Sequence, residues 1–309
     1  MGWFTKNQFL PFLKARIEAM RGGAALSKGQ RYSVSYVTRC AKLSRIIAAY
    51  APEVLSEKID EDWMNAFAAY LSAQNIRKNT VAAHLKDMKV NLRRHCKTAR
   101  IHFAARDFRY STETTSKIYT SVAEIEKIIA LDLSAQKGLE AIRDAYVVQC
   151  YTGLRFGDLR RLLNSPKISL VSEKYFKVYT HKTQQVVVIP ISEKIMSIME
   201  RRGWRFPAFS IQLFNRRIKE IAALAGITQL VEINFTKGGQ KVKEVKPANE
   251  LTSSHTARRS FATNAFLAGI PTLKIRKITG HSTEQSFLIY IRADEMQSAE
   301  TVLNHPFFG

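Results

Sequence analysis

The stretch Ser254-His255-Thr256-Ala257-Arg258-Arg259 is the part of the chain that says most about its fold. It places a His and an Arg three residues apart, and residues at this spacing share one face of a helix. A second His follows at Gly280-His281, and Tyr290 lies nine residues beyond that His. His255 and Arg258 can therefore point at one anion, and the Tyr290 hydroxyl is a candidate nucleophile for it.

The balance of charge indicates what this anion is. The 309 residues include 48 Lys and Arg against 26 Asp and Glu, a net charge of +22. Residues 1–110 carry 20 basic and 8 acidic side chains, a net of +12, and the remainder carries 28 and 18, a net of +10. Basic charge in both parts predicts a polyanion-binding protein, because neutralised phosphates release counterions. Double-stranded DNA is the expected partner, and a generically basic soluble protein is the alternative.

Composition excludes several other classes of protein. The chain is 46% hydrophobic, which is enough for a sizeable core and too much for general disorder. No apolar run approaches the ~18 residues that span a membrane, and the N-terminus lacks a signal-peptide pattern. The scattered Cys40, Cys96 and Cys150 have no CxxC spacing, which indicates reduced thiols in a cytoplasmic protein. We expect no membrane partner.

Residues 1–106 are predicted to be all-helical. Apolar residues recur at helical spacing over 9–20 and 33–50, Asp60 suits the N-cap of a third helix, and Asn79-Thr80 opens a fourth. The fourth helix carries a basic face that is the best candidate for contact with a duplex: Lys86, Lys89, Arg93, Arg94 and Lys97. A solvated charged face is the alternative.

A second domain is predicted after a polar linker. Residues 107–119 are poor in large apolar side chains, and Ser121 with Glu124 fits a capping box at the start of a new domain over 120–309. This domain has a helix over 141–163 that is interrupted at Thr152-Gly153. Further predicted elements are strands at 168–171, 175–180 and 186–189, helices beginning at Glu193 and Ile211, and a basic hairpin around Gly238-Gly239. The fold class is mainly α with a small β-sheet.

Two other segments carry candidate site residues. Arg155 follows the Thr152-Gly153 reversal, and Asp158 lies one turn away, where it can brace the Arg155 guanidinium. Lys182 lies in the short turn between the second and third strands, and a hairpin tip can bring a lysine into a cleft. Each signal is weak alone, since an Arg near an Asp is usually a surface ion pair and a turn lysine is usually solvated.

Taken together, these residues resemble the active site of the tyrosine recombinase, or phage integrase, family. That site combines an Arg after a Thr-Gly-Leu turn, a β-hairpin Lys, an HxxR pair, a His after Gly and a Tyr. The matching residues, in the family's order, are Arg155, Lys182, His255, Arg258, His281 and Tyr290. Residues 1–106 are similar to the family's helical core-binding domain, and Arg259 to Asn264 resemble integrases of bacterial mobile elements.

The resemblance implies a site-specific recombinase that integrates or excises a mobile element. Such an enzyme breaks and rejoins DNA through a covalent 3′-phosphotyrosyl intermediate, without metal, cofactor or ATP. Tyr290 is then the nucleophile, and Lys182 is the general acid for the leaving 5′ oxygen. His255 accepts the tyrosine proton or shares the acid–base work, and His281 donates a hydrogen bond to the phosphate.

The physical chemistry of the two arginines supports these implied roles. Attack on a phosphodiester builds negative charge at the phosphoryl oxygens. Arg155 and Arg258 can bind the non-bridging oxygens by bidentate hydrogen bonds, which supplies the electrostatic stabilisation that a metal would otherwise give.

The resemblance also implies an assembly and a location. Four protomers are expected to synapse two sites in the bacterial cytoplasm, in association with the nucleoid. The segment Met296 to Gly309 can dock on a neighbouring protomer or on its own domain. Met1 lies only a few residues before the first helix, so either the recombinase has two domains or an arm-binding domain has been removed.

Two other functions fit parts of the pattern. A topoisomerase of type IB chemistry uses a similar Arg, Lys and Tyr set and would relax supercoils without sequence preference. A non-catalytic DNA-binding regulator of the same fold would lack one or more of the six residues. The sequence does not predict the target site, the direction of recombination, the accessory factors, or whether cleavage occurs in cis or in trans.

Overall fold

The computed structural model describes residues 7–27, 29–114, 117–281 and 283–303, and the chain forms two compact units. Unit 1 comprises Met1–Thr115 and Asn234–Glu244, and unit 2 comprises Ser116–Ile233 and Val245–Gly309. The change of unit between residues 115 and 116 falls within the stretch 107–119. The functional division into domains at 1–106 and 120–309 stays a prediction.

Unit 1 is built mainly from helices in its described part. The helices are α1 (Phe9–Gly22), α2 (Val34–Tyr50), α3 (Glu61–Ala73) and α4 (Lys78–Ala99), and a short ribbon pairs β1 (Leu26–Ser27) with β2 (Gln30–Arg31). The ribbon has only two residues in each strand, which is too short for an alternating pattern in the sequence. The prediction of helices over this region is confirmed.

Local chemistry fixes where these helices begin. The Ser33 hydroxyl accepts a hydrogen bond from Tyr36 N at 3.3 Å, and the Asp60 carboxylate accepts one from Trp63 N at 2.8 Å, as the sequence predicts for Asp60. The apolar faces of the four helices then meet in one core. Its fully buried side chains include Phe9, Leu13, Leu43, Ile47, Met64, Phe67 and Met88.

The segment Asn234–Glu244 is built into unit 1 through Glu113 and Arg77. The Glu113 carboxylate accepts hydrogen bonds from the Thr236 N–H at 2.8 Å and from the Thr236 hydroxyl at 2.7 Å. The Arg77 guanidinium lies 3.9 Å from the centre of the Phe235 ring, in a cation–π contact. Burial by itself raises the pKa of Glu113, but the Thr236 hydrogen bonds, with nearby Lys78 and Arg77, outweigh it and leave that pKa below its usual value.

Unit 2 contains most of the remaining elements. Its helices are α5 (Val122–Ile129), α6 (Lys137–Thr152), α7 (Phe156–Asn164), α8 (Pro166–Ser169), α9 (Glu193–Arg201), α10 (Ile211–Leu224), α11 (Ala248–Leu251), α12 (Ser254–Leu267), α13 (Thr272–Thr279), α14 (Glu284–Leu288) and α15 (Glu295–Leu303). A three-stranded antiparallel sheet has the order β3 (Leu170–Ser172), β4 (Tyr175–Thr180), β5 (Gln185–Pro190). A hairpin pairs β6 (Leu230–Lys237) with β7 (Gln240–Pro247), and its tip is the segment that belongs to unit 1.

Helix α6 is the centre of unit 2. It is buried on nearly all sides and packs against α5, α9, α10 and α12. Strand β4 alternates exposed and buried residues, so Phe176, Val178 and Thr180 face inward, which is the period-2 pattern of a half-buried strand. The predicted capping box of Ser121 and Glu124 is confirmed at the start of α5.

The predicted strand at 168–171 is wrong in its first half. Ile168 lies in the helical turn α8, and β3 begins only at Leu170. Pro166 occupies the first turn of α8, where its fixed backbone angle favours a helical start and its missing N–H costs nothing.

The C-terminal helix α15 lies on its own unit. It packs against α12, and Gln297 Nε2 donates a hydrogen bond to the Tyr119 hydroxyl at 3.2 Å. Residues 304–309, on which part of the docking prediction depends, lie outside the described residues. Among the helices that the structure describes, none combines the length and apolar character needed to cross a membrane.

Candidate active site

All six residues that resemble the family's active site lie in unit 2, at the ends of elements or on α12. Arg155 is the N-cap of α7, Lys182 lies in the β4–β5 turn, His255 and Arg258 lie in the first turns of α12, His281 follows α13, and Tyr290 follows α14.

Arg258 is the buried centre of the site, with 1% of its surface exposed. Its Nη1 donates to the Gly153 carbonyl at 2.6 Å, and its Nη2 donates to the Thr279 carbonyl at 2.7 Å. Burial, followed by the charge of Arg155, lowers the pKa of Arg258, and Tyr290 partly opposes this. Arginine stays protonated at neutral pH all the same, so the site holds a fixed positive charge. The Arg258 Nε is buried and has no hydrogen-bond partner among the residues that the structure describes, which leaves a donor for an anion.

Gly153 allows Arg258 to lie in this buried position. It ends α6 with φ +64°, a left-handed conformation that favours glycine. A Cβ atom at Gly153 would lie 2.4 Å from the Phe261 ring of α12, so the absence of a side chain allows α12 to approach. The same residue supplies the carbonyl that Arg258 binds. The Thr-Gly-Leu turn thus joins α6, α7 and α12 at one point.

We expect Gly153→Ala to destabilise the protein by about 2–4 kcal/mol, from the left-handed backbone and from overpacking against Phe261. Gly157→Ala is the matched control, because Gly157 lies in α7 and its added Cβ would meet nothing within 4 Å. That control should be neutral or slightly stabilising. Urea unfolding of both variants measures the difference, and a Gly153→Ala variant as stable as Gly157→Ala would contradict the packing described.

Arg155 lies at the start of α7 with its side chain half-buried. Within the described part of the chain, Nη1 of Arg155 is buried without a hydrogen-bond partner, and the same is true of Nε of Arg258. Two unsatisfied buried guanidinium donors are costly unless an anion binds them. The prediction that Asp158 braces the Arg155 guanidinium is wrong, because the Asp158 carboxylate is engaged elsewhere.

Asp158 instead fixes the turn that carries Lys182. Its Oδ1 accepts hydrogen bonds from the His181 backbone N–H at 3.0 Å and from the Arg161 guanidinium. Because His181 directly precedes Lys182, the buried carboxylate of α7 holds the first residue of the β4–β5 turn. Lys182 itself is exposed, so its ammonium is available to a bound substrate.

His281 is held in one protonation state. Its Nε2 lies 2.9 Å from Nη2 of Arg258, and arginine can only donate, so Nε2 accepts. Its Nδ1 lies 2.7 Å from the Thr279 hydroxyl, which itself donates to the Ile275 carbonyl at 2.9 Å, so Nδ1 carries the proton. Burial, then the charges of Arg258, Arg155 and Arg276, lower the pKa of His281 to about 3. The imidazole is therefore neutral in the DNA-free protein.

The pKa of His281 predicts a pH dependence of stability. Unfolded histidine titrates near 6.5, so between about pH 6.5 and pH 3 the unfolded state binds a proton that the folded state does not. The stabilisation is complete above pH 6.5 and is lost progressively as the pH falls towards 3. Nitrogen-15 NMR of the folded protein should show a proton on Nδ1 at pH 7 and no titration of His281 down to pH 5. A midpoint near 6.5 would contradict the assignment.

His255 lies at the open side of the site. Its side chain is exposed, and surrounding protein, then the cations Arg259, Arg258, Lys182 and Arg155, lower its pKa. These charges act on His255 because the residues lie close together, although they come from three separate segments of the chain. A neutral imidazole at this position can accept a proton at pH 7.

Tyr290 lies against the buried centre of the site within its own chain. Its ring centre is 4.8 Å from that of His281 and 5.4 Å from the Arg258 guanidinium carbon. The Thr263 hydroxyl donates to the Tyr290 carbonyl at 3.2 Å, which ties the tyrosine to α12. The ring also packs on a small core formed by Ala262, Ala265, Ile275 and Phe287.

The five basic residues predicted to contact a duplex lie on α4 in unit 1, and their surroundings differ. Lys86, Lys89 and Arg93 line a surface cavity of about 410 Å³, whereas Arg94 and Lys97 are exposed but do not line it. Lys89 is half-buried because its Nζ donates to the Phe108 carbonyl at 2.6 Å. Arg109 and Tyr110 also line this cavity, and no sequence pattern predicts them because a linker shows no helical periodicity.

The comparisons with known proteins assign the family. Residues 119–297 match the phage integrase family, and residues 8–101 match the phage integrase SAM-like domain. The first match alone covers more than half of the chain, so the chain belongs to the phage integrase family of tyrosine recombinases. No curated protein sequence matches the chain significantly.

Solved structures of similar fold cover nearly the whole chain. The Tn1549 transposon integrase in complex with circular intermediate DNA is 16% identical, with a TM-score of 0.65 over 96% of this chain and 99% of that one. A lambda integrase dimer bound to a COC′ core site is 14% identical, with a TM-score of 0.68 over 92% and 95%. A lambda integrase tetramer bound to a Holliday junction is 15% identical, with a TM-score of 0.63 over 93% and 79%. At these identities the likeness concerns the fold.

Proposed function

We propose that this protein is a site-specific recombinase that cleaves and rejoins duplex DNA through a covalent 3′-phosphotyrosyl intermediate, and that it integrates or excises a mobile element. The observation that carries the proposal is the position of Tyr290. Its ring lies beside the Arg258 guanidinium and the His281 imidazole, and Nε of this guanidinium is buried with no hydrogen-bond partner among the described residues. A phosphodiester bound to this donor would lie next to the tyrosine hydroxyl.

The arginines bind the phosphate in this mechanism. Nε of Arg258 and Nη1 of Arg155 supply charge-assisted hydrogen bonds to the non-bridging oxygens, which gain charge as Tyr290 attacks. Arg258 is pre-oriented by the carbonyls of Gly153 and Thr279, so little reorganisation is needed when the charge develops. A bound dianionic transition state raises the pKa of His281, which allows its Nε2 to take up a proton and become a donor.

In this mechanism, His255 and Lys182 carry out the two proton transfers. The Tyr290 oxygen forms a bond to phosphorus, the bond from phosphorus to the 5′ oxygen breaks, and the tyrosine proton passes to His255. Lys182 donates a proton to the leaving 5′ oxygen, which becomes a hydroxyl. Rejoining is the reverse reaction with a 5′-hydroxyl from another strand, so the phosphodiester energy is kept and ATP is not needed.

Unit 1 supplies a basic surface for the duplex. We assign this contact to the α4 face, where Lys86, Lys89 and Arg93 surround a surface cavity with Arg109. Integrases of the same fold have been solved on DNA, including a tetramer on a Holliday junction, and this supports double-stranded DNA as partner and a homotetramer on two synapsed sites. The proposal places this activity in the bacterial cytoplasm, on nucleoid DNA.

The test begins with a pool of nicked duplexes of randomised sequence. A nick close to the cleavage point lets a short fragment diffuse away and traps the covalent protein–DNA adduct. The parent protein should yield adducts enriched in one sequence, and the enriched duplex identifies the core site. A parent that forms no adduct with any member of the pool would refute the proposal.

The enriched site then separates recombination from topoisomerase activity. Plasmids with two copies of the site should give recombinant products, whereas plasmids lacking the site should keep their supercoils. Relaxation of site-free plasmids without recombinants would favour a type IB-like topoisomerase.

A further inference from the structure

A second group of cations lies beside the six residues already described. Lys117, Arg259 and Arg292 come from the start of unit 2, from α12 and from the segment after Tyr290. The Arg259 Nε donates to the Ile118 carbonyl at 2.9 Å, which brings the chain next to Lys117 onto α12. The Arg292 N–H donates to the Thr263 hydroxyl at 3.0 Å, one helical turn after Arg259.

Among the described residues, these cations have no acidic partner. No carboxylate forms an ion pair with any of the three among the residues that the structure describes. Burial, followed by the charge of Arg292, lowers the pKa of Arg259 to about 10, and burial with Arg292 and Arg259 lowers the pKa of Lys117. The Arg292 Nε is buried, and no described residue forms a hydrogen bond with it. Like charges crowded in this way are destabilising until an anion neutralises them.

On the surface of α12, Arg259 lies on the opposite side of His255 from Arg258. Successive helical residues are rotated by about 100°, so Arg258 and Arg259 project from one turn of α12 in directions that flank His255. Arg259 is the cation with the greatest effect on the pKa of His255, after burial, and the nearby Tyr290 in turn partly opposes the lowering of the pKa of Arg259. Helix α12 therefore presents two cationic positions, one on each side of the catalytic opening.

We infer that Lys117, Arg259 and Arg292 form a second phosphate-binding site, which takes the backbone phosphate next to the scissile phosphate on the strand that Tyr290 attacks. DNA offers one phosphate per nucleotide along each strand, so two adjacent cationic positions match two successive phosphates. This inference rests on the proposed function, because it assumes that DNA enters the site. The second phosphate fixes the register of the strand, so that Tyr290 meets one phosphodiester and not its neighbour.

Substitution of Lys117 and Arg292 should leave the fold intact. Arg259 holds the Ile118 carbonyl and the Thr256 hydroxyl, so the test changes Lys117 and Arg292 instead. Arg292 donates to the Ile289 carbonyl at 2.5 Å, and a glutamine amide can also donate a hydrogen bond. The control is Lys127→Gln with Lys137→Gln, which removes the same charge from two exposed lysines of α5 and α6.

The first measurement is the salt dependence of binding to a mixed-sequence duplex of about 30 base pairs, which needs no known target site. Loss of one phosphate contact should reduce the slope of log Kobs against log salt by about 0.9. Lys117→Gln/Arg292→Gln should show this reduction and bind about tenfold to a hundredfold more weakly. An unchanged slope, or an equal reduction in the control pair, would overturn the site.

The second measurement locates the phosphate. Neutral methylphosphonates replace the phosphates around the scissile position, one at a time, in the trapped substrate. With the parent protein, one replacement adjacent to the scissile phosphate should slow adduct formation, and the Lys117→Gln/Arg292→Gln variant should be indifferent to that same replacement. If both proteins respond alike at every position, the second site is refuted while the recombinase proposal stands. If the parent forms no adduct, the recombinase proposal fails, and the salt slope still decides whether the cations bind phosphate.

Discussion

Replacing Tyr290 with Phe should abolish the covalent protein–DNA adduct, with a loss of at least about 10⁴-fold in the rate of strand cleavage. The variant lacks only the hydroxyl oxygen that forms the bond to phosphorus. The ring that packs on His281, Arg258 and Phe287 is kept, so the fold and DNA binding should be nearly unchanged. Single-turnover cleavage of the trapped substrate, with binding measured in parallel, gives both quantities.

The matched control for this substitution is Tyr175→Phe. Tyr175 lies in β4 and is 44% exposed, so the same chemical change occurs away from the site. Its adduct should form at the parental rate. An adduct that persists with Tyr290→Phe would show that another residue is the nucleophile.

Arg258→Lys should slow adduct formation by about 10²- to 10³-fold, although the positive charge is kept. The planar guanidinium binds the Gly153 carbonyl, the Thr279 carbonyl and His281 together and still leaves Nε for phosphate. A single lysine ammonium cannot form all of these hydrogen bonds in the same planar geometry. We also expect His281 to lose its hydrogen-bond donor, which should raise its pKa towards the ordinary value.

Arg160→Lys is the control, because Arg160 is an exposed residue of α7. Circular dichroism and urea unfolding separate loss of catalysis from loss of fold. A parental cleavage rate in Arg258→Lys would contradict the geometry described for the site, since it would mean that charge alone suffices.

The sequence predicted the helices better than the details of the site. Asp60, Ser121 and Glu124 were correctly predicted as caps, because capping depends on hydrogen bonds within a few residues. Ile168 was placed in a strand because it is β-branched, whereas Pro166 two residues earlier starts a helical turn. The incorporation of Asn234–Glu244 into unit 1 depends on Glu113 and Arg77, which are far away in the chain, and no local pattern carries that information.

The candidate site also depends on contacts between distant segments, which no local sequence pattern reveals. The resemblance named the six residues, and the structure brings Arg155, Arg258, His281 and Tyr290 into one group with His255 and Lys182 at its opening. Asp158 was misassigned because spacing along a helix does not reveal that His181, from another segment, competes for the same carboxylate. The neutral state of His281 was also unpredictable, since it follows from burial and from the charges of Arg258, Arg155 and Arg276, which only the folded chain brings together.

The most direct test of the central claim is to map the covalent adduct. The trapped protein–DNA complex is digested with trypsin and nuclease, and the modified peptide is sequenced by mass spectrometry, while end-labelling of the DNA identifies the linked strand end. The proposed mechanism predicts a nucleotide attached to the Tyr290 oxygen through a 3′-phosphate, with a free 5′-hydroxyl on the released strand. A nucleotide on another residue, or a linkage through a 5′-phosphate, would contradict it.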